Sequence, residues 1–165
     1  MKKKALLLAA ALLGLASLAG AVSIGKKAPN IKAKDLFTGK TLELSKMRGK
    51  VVIVDFWATW CPPCRMEIPH FMELQKQFRK KGLVVWGMSV DQGGAQAVRR
   101  FFGDTKVDYS MSHDDDDQYS MKYGGIQAIP TTFMIGKHGE ILHEYVGYHP
   151  QEVFEKDIRD ALRKS

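Results

Sequence analysis

The sequence predicts an α/β domain in which a central mixed sheet is flanked by helices, with a β-hairpin at its N-terminal side. Three observations carry this. Residues 51–58 and 83–90 are continuous apolar runs of the kind found in strands buried on both faces. Between them Met66, Ile68, Phe71, Leu74 and Phe78 recur at helical spacing. The length, 165 residues, with 45% hydrophobic and 26% charged residues, suits one core and one domain.

Residues 22–30 read as an extended lead-in. Residues 31–34 and 41–44 flank the turn signal Phe37-Thr38-Gly39-Lys40 and form the hairpin, and 45–50 connect it to the first buried strand, 51–58. Asp55 is the single acid in that strand. A helix follows over 62–80, with Pro62 and Pro63 at its start, where a missing N–H costs nothing, and Gly82 just past its end. Pro69 lies inside it and is expected to kink it. Strand 83–90 completes a right-handed crossover unit. Gly93 and Gly94 open a helix over 95–103, 109–111 form a short strand, and 117–123 a short helix. Residues 131–135 and 141–146 make a hairpin around Lys137-His138-Gly139-Glu140. Val153, Phe154, Ile158 and Leu162 line one face of a terminal helix, 151–164. No repeat or linker interrupts this order.

The first 24 residues stand apart. Lys2, Lys3 and Lys4 precede an uncharged run from residue 5 to 24 that contains Ala19-Gly20-Ala21, the pattern of a secretory signal cleaved after Ala21. Residues 22–165 are then the folded domain. The run is also long enough to span a bilayer as an uncleaved anchor. Loss of three lysines lowers the formal net charge from +7 to +4. No basic stripe interleaved with aromatic residues appears, so nucleic acid is not an expected partner.

The only two cysteines, Cys61 and Cys64, lie in Trp60-Cys61-Pro62-Pro63-Cys64. A bridge over two intervening residues closes almost no loop and stabilises little, so the pair suits exchange chemistry better than stapling. Cys61 sits at a helix start, where backbone N–H groups favour the thiolate, and Arg65 adds positive field. Cys64, one turn in, is less exposed and better placed to resolve a mixed disulfide. Two acids could take its proton. Asp55 points into apolar surroundings that raise its pKa, although it could equally be a hydrogen-bonded structural acid. Glu67 lies three residues after Cys64 on about the same helical face, although it could be a solvated helix residue. In Ile129-Pro130-Thr131 a proline opens an apolar strand, which local sequence reads as a strand-edge proline.

Asp55-Phe56-Trp57-Ala58 leading to Trp60-Cys61-x-x-Cys64, with Pro130-Thr131-Thr132 about seventy residues on, resembles the thioredoxin superfamily. The hairpin, the segment 91–125 inserted before the second half, Glu67 and the export signal narrow the resemblance to the TlpA/ResA-like extracytoplasmic branch, over nearly all of the mature chain. The resemblance implies a thioredoxin-like fold and a periplasmic or otherwise extracytoplasmic thiol-disulfide oxidoreductase. Cys61 would be its nucleophile, Cys64 its resolving thiol, Asp55 and Glu67 its acids, and Pro130 a cis-proline that helps receive substrate backbone. Trp60, Pro62, Pro63, Ile129, Pro130 and Thr131 would form the substrate-facing surface. The redox-active disulfide would be its only prosthetic element, with no cofactor and no metal. It would reduce protein disulfides, drawing electrons from a membrane-embedded thiol reductant, and serve cytochrome c or copper-site maturation. Two departures stand out. Gly87 occupies the position of a lysine that in thioredoxin can pair with the buried acid, and Pro62-Pro63 replaces Gly-Pro.

Other readings are a disulfide-forming oxidant and a copper-binding chaperone, the latter drawing on Met111-Ser112-His113. A thioredoxin-fold peroxidase would not need the vicinal pair, and covalent haem attachment would need a histidine where Arg65 stands. The run 114–117 is expected to be a solvated turn ending in a helix N-cap, and Trp86 a core residue.

Overall fold

The computed structural model describes residues 22–164; the leader read at residues 1–21 lies outside the described residues. Strand β1 (Lys32–Lys34) pairs antiparallel with β2 (Thr41–Glu43) as a separate two-stranded sheet. The main sheet has five strands, β3 (Val51–Trp57), β4 (Leu83–Ser89), β5 (Ser110–His113), β6 (Thr131–Ile135) and β7 (Ile141–Val146), in the order β5-β4-β3-β6-β7. Strands β3, β4 and β5 are parallel, and β6 and β7 run antiparallel to them. Four α-helices are found among the described residues: α1 (Pro62–Phe78), α2 (Gly94–Phe102), α3 (Gln118–Lys122) and α4 (Gln151–Arg163). The expected α/β class, mixed sheet and N-terminal hairpin are all present.

Alternation along β3 distributes the core between two layers. Val51, Ile53 and Trp57 face α1 and α4, meeting Phe71, Leu74, Phe78, Phe154 and Ile158. Val52, Val54 and Phe56 face the other way, toward Trp86, Phe133, Tyr119 and Tyr123, under the hairpin residues Ile31 and Leu44. The same parity assigns Asp55 to the α1 side. A strand buried on both faces therefore delivers one carboxylate beneath the helix that carries the cysteines.

Several expected boundaries move, each for a tertiary reason. The short strand expected at 109–111 runs from Ser110 to His113, in register with Trp86 to Ser89 of β4. Ser112 is fixed there because it accepts from Trp86 Nε1 at 2.9 Å and donates to the Lys34 carbonyl at 2.9 Å. The helix expected at 117–123 contracts to α3. Asp115–Asp117 form a 3-10 turn in which Asp116 and Asp117 have positive φ, 56° and 55°. The run 114–117 is not wholly solvated. Asp114 is buried, and its carboxylate accepts the N–H groups of Tyr119 and Ser120 at 2.8 and 2.7 Å, doing the capping expected of the end of the run. Helix α1 continues without a break through Pro69, whose ring lies on the exposed side. Pro69 has no N–H to donate to the Arg65 carbonyl one turn earlier.

The hairpin is tied to the sheet by Asp35. This buried carboxylate accepts from Thr38 N at 2.7 Å and Phe37 N at 3.1 Å within its own turn, and from Met111 N of β5 at 3.0 Å.

Candidate active site

Helix α1 begins at the second residue of the cysteine motif. Cys61 is its N-cap residue, in an extended conformation, and Pro62 and Pro63 occupy the first helical positions, where donors have no intrahelical acceptor. The first available donors are therefore those of Cys64 and Arg65. Cys64 N donates to Cys61 Sγ at 3.2 Å and Arg65 N to the Cys61 carbonyl at 3.1 Å. The two sulfurs are joined in a disulfide of 2.07 Å, with Cα atoms 5.3 Å apart. Both cysteines are buried, Cys64 fully and Cys61 with 3% of its surface exposed.

The segment before Cys61 is fixed by a residue that the sequence did not single out. Asp91, buried after β4, accepts from Thr59 Oγ1 at 2.6 Å, Thr59 N at 3.0 Å and Ser89 Oγ at 2.7 Å. Trp60 is left 65% exposed beside Cys61, whereas Trp57 is buried against Phe101 and Phe102. The Arg65 guanidinium lies over the Phe101 ring, 5.5 Å from its centroid, so its charge is held toward α2.

Opposite the cysteines the Ile129–Pro130 bond is cis. The Ile129 carbonyl oxygen lies 3.7 Å from Cys61 Sγ. In the disulfide no proton lies between these atoms, so the approach is a contact and not a hydrogen bond. Pro130 is buried with its carbonyl accepting from Gly147 N at 2.8 Å. Thr131 is also buried and donates its hydroxyl to Ala128, so its side chain is turned inward. Pro62 is exposed and Pro63 half-buried. The structure thus brings Trp60, Pro62, Ile129 and Pro130 around the disulfide and withdraws the Thr131 side chain.

Both candidate acids lie inside the protein. Thr132 Oγ1 donates to Asp55 at 3.1 Å across the β3–β6 pair. Burial pushes the Asp55 carboxyl well above the usual carboxylate range, and Glu67 adds to the rise. Glu67 has no exposed surface, so it is not a solvated helix residue. Its Oε1 accepts from His149 N at 2.8 Å, while its Oε2 has no hydrogen-bond partner among the described residues. Burial pushes Glu67 up from 4.5 to about 7, against the opposing pull of the His149 amide. Tyr109 belongs to the same interior. Its hydroxyl is buried without a partner, and burial, then Asp55 and Glu67, push its own titration upward. The loop 147–150 therefore bonds both the cis-proline carbonyl and the Glu67 carboxylate, a link made over 82 residues for Glu67.

Gly87 pairs with Asp55 across β3 and β4. A Cβ there would lie 2.5 Å from Met111 Sδ and 3.1 Å from Trp57 Nε1, so a side chain at this position requires Met111 to move, and with glycine here no cation reaches Asp55 from it. The metal reading of Met111-Ser112-His113 meets occupied donors. Met111 is packed on Gly87, and the two His113 nitrogens lie 2.8 Å from Asp115 Oδ1 and from the Asp91 carbonyl. Among the described residues no three His, Cys, Asp or Glu side chains are grouped to hold a metal.

A model of the AhpC/TSA family matches residues 24–144. The thiol-disulfide oxidoreductase ResA of Bacillus thuringiensis subsp. konkukian (strain 97-27) is 33% identical over 138 residues, covering 84% of this chain and 78% of that protein. ResA of Bacillus subtilis (strain 168) is 33% identical over 126 residues, covering 76% and 69%. Among solved structures, a DsbE-type thiol:disulfide interchange protein of Chlorobium tepidum superposes with a TM-score of 0.79 at 30% identity, covering 86% of this chain and 99% of that one.

Proposed function

Because this chain belongs to the AhpC/TSA family of thioredoxin-like proteins and is a thiol-disulfide oxidoreductase, we propose that it acts outside the cytoplasm as a reductant of protein disulfides. In the reaction Cys61 is the nucleophile. Its thiolate attacks one sulfur of a substrate disulfide, the substrate S–S bond breaks, and the departing thiolate takes up a proton. Cys64 then gives its proton to an internal acid and attacks Cys61 Sγ, releasing the second substrate thiolate and regenerating the Cys61–Cys64 disulfide. Two electrons have passed to the substrate. A membrane-embedded thiol reductant returns them by the same exchange in reverse.

The observation that carries the exchange step is Glu67, buried one turn after Cys64 and pushed up by burial to about 7. A carboxyl with that value can accept a thiol proton near neutral pH and release it again, which an ordinary surface glutamate does poorly. Asp55, on the strand beneath, is a second acceptor. Trp60, Pro62, Pro63, Ile129, Pro130 and the Thr131 backbone receive the substrate around Cys61. Disulfides arising during cytochrome c or copper-site maturation suit such a reductant, because their cysteines must be free to bind haem or metal.

The test is transfer from the reduced protein to a model protein disulfide. Cys61→Ala is expected to abolish it and Cys64→Ala to accumulate a mixed disulfide; normal turnover by Cys61→Ala overturns the assignment. Direction is read from the equilibrium with glutathione. A potential well below about −200 mV supports a reductant, and one near about −120 mV supports a disulfide-forming oxidant instead.

A further inference from the structure

We propose that the end of the domain opposite the disulfide is a docking face for anionic phospholipid headgroups, so that the domain stands on a membrane surface with Cys61 turned away from it. This goes beyond the redox reading and does not depend on it.

Cys61 follows the C-terminal end of β3. The N-terminal ends of β3 and β4 and the turn between β6 and β7 therefore lie together at the other end of the sheet. Arg48 and Lys50 precede β3, and Arg79, Lys80 and Lys81 precede β4; all five are exposed. In the β6–β7 turn Lys137 donates to the carbonyls of Leu162 and Lys164, which brings the end of α4, with Arg163 and Lys164, onto the same face. These segments touch. Gly49 N bonds the Lys137 carbonyl at 2.8 Å, and a Cβ on Gly82 would meet Leu162 and Lys50. The Arg48 guanidinium occupies the place a Cβ would take on Gly139, where φ is +81°, so only glycine suits that turn. Lys26 and Lys27 complete the face, Lys27 Nζ bonding the His138 carbonyl at 2.7 Å.

Ten Lys and Arg residues are gathered here with Glu140 and Asp160, and the groove beside Lys81 and Arg163 adds Glu152 and Glu155; Asp160 is paired with Arg163 and Glu155 with Arg159. At the opposite end β4 and β5 run out into Asp91 and the acidic run 114–117. Cations at the ends of α1 and α4 complement the helix dipoles. Lys26, Lys27, Arg48 and Lys50 follow no α-helix, so dipole compensation does not account for the face.

The way the chain enters the domain identifies the occupant. Gly25 N bonds the Ile141 carbonyl at 2.8 Å and Ala28 N the Gly139 carbonyl at 2.9 Å. The uncharged run of residues 5–24 thus joins the domain among these cations, the juxtaposition of apolar segment and basic cluster that anionic lipid surfaces attract. The neighbouring exposed large apolar side chain is Ile24, 66% exposed. An aliphatic group suits the acyl boundary of a bilayer, whereas bases would call for aromatic stacking.

Residues 22–165 contain every strand and helix described and both core layers, and the experiment uses this segment because it lacks most of the apolar run. Its sedimentation is measured with vesicles of phosphatidylcholine alone and with one third phosphatidylglycerol. Binding to the second only, weakening as salt is added, is expected. Reversing Arg79→Glu, Lys80→Glu and Lys81→Glu together is expected to weaken it roughly a hundredfold or more. The equally charged control Arg100→Glu, Lys106→Glu and Lys122→Glu retains it. Transfer to a small-molecule disulfide, unchanged in both triple variants, shows that they fold. Binding that ignores phosphatidylglycerol, an equal loss in both variants, or tighter retention by double-stranded DNA than by the anionic vesicles would each overturn the proposal.

Discussion

The backbone N–H of His149 donates to Glu67 Oε1 at 2.8 Å, while the second oxygen of that carboxylate is buried without a partner. One oxygen is stabilised as an anion and the other is not, which leaves the group able to hold or lose a proton near neutrality. The folded protein keeps Glu67 protonated at pH values where the unfolded chain has already released that proton. Its contribution to stability is therefore full below about 4.5 and is lost as pH rises through about 7, a change of about 3 kcal/mol. Asp55, raised in the same direction, adds to the decline. Denaturant unfolding of the oxidised protein is expected to show lower stability at pH 8 than at pH 5, and Glu67→Gln to flatten that slope. A slope unchanged in Glu67→Gln would mean that Glu67 does not titrate in this window.

The same carboxyl governs the kinetic prediction. If Glu67 receives the Cys64 proton, the rate at which mixed disulfides resolve should change around pH 7 in the native protein and lose that inflection in Glu67→Gln. Asp55→Asn should leave that inflection near pH 7, because burial and not Asp55 raises Glu67. Stopped-flow exchange with a fluorescent disulfide across pH measures both.

Asp91 positions the segment before Cys61 through Thr59 and Ser89. Asp91→Ala leaves three buried or half-buried donors unsatisfied, and a loss of about 2–4 kcal/mol is expected. Urea unfolding measures it. Exchange should slow as well, since the Thr59–Trp60 segment loses the bonds that hold it beside the disulfide.

Restoring a side chain at position 87 is expected to fail. Gly87→Ala drives its Cβ against Met111 Sδ, for which about 1–3 kcal/mol is a typical cost of overpacking, and Gly87→Lys should be worse. Met111→Ala combined with Gly87→Ala should cost less than the sum of the two changes in thermal melts. Simple additivity would show that the clash relaxes without cost.

Trp60→Ala removes an exposed ring and is expected to alter stability by no more than about 0.5 kcal/mol. KM for a protein disulfide should rise while turnover of a small-molecule disulfide stays near normal. Equal effects on both substrates would place Trp60 in the chemistry of Cys61 and not in substrate docking.

Much of the scaffold was legible because it rests on local regularities. The runs at 51–58 and 83–90 are apolar on both faces because both faces are covered, and Pro62-Pro63 marks a helix start because helices leave their first N–H groups unpaired. Period-two alternation assigns Asp55 to one side of β3 from its number alone. The weakest expectations fell where polar residues were read by composition. Ser112 and His113 join a strand because β4 offers them partners, and Asp114 leaves the solvated run because Tyr119 and Ser120 present N–H groups to it.

The sequence by itself determined where the reactive sulfurs stand, at the mouth of a helix that follows a buried strand, because chain proximity and helix geometry suffice to put them there. Only the tertiary structure decided what surrounds them. The 82 residues between Glu67 and His149, the 68 between Cys61 and Ile129 and the 32 between Thr59 and Asp91 are closed by folding. Burial, which sets the proton affinity of Glu67, belongs to the packed interior and to no segment of the chain alone.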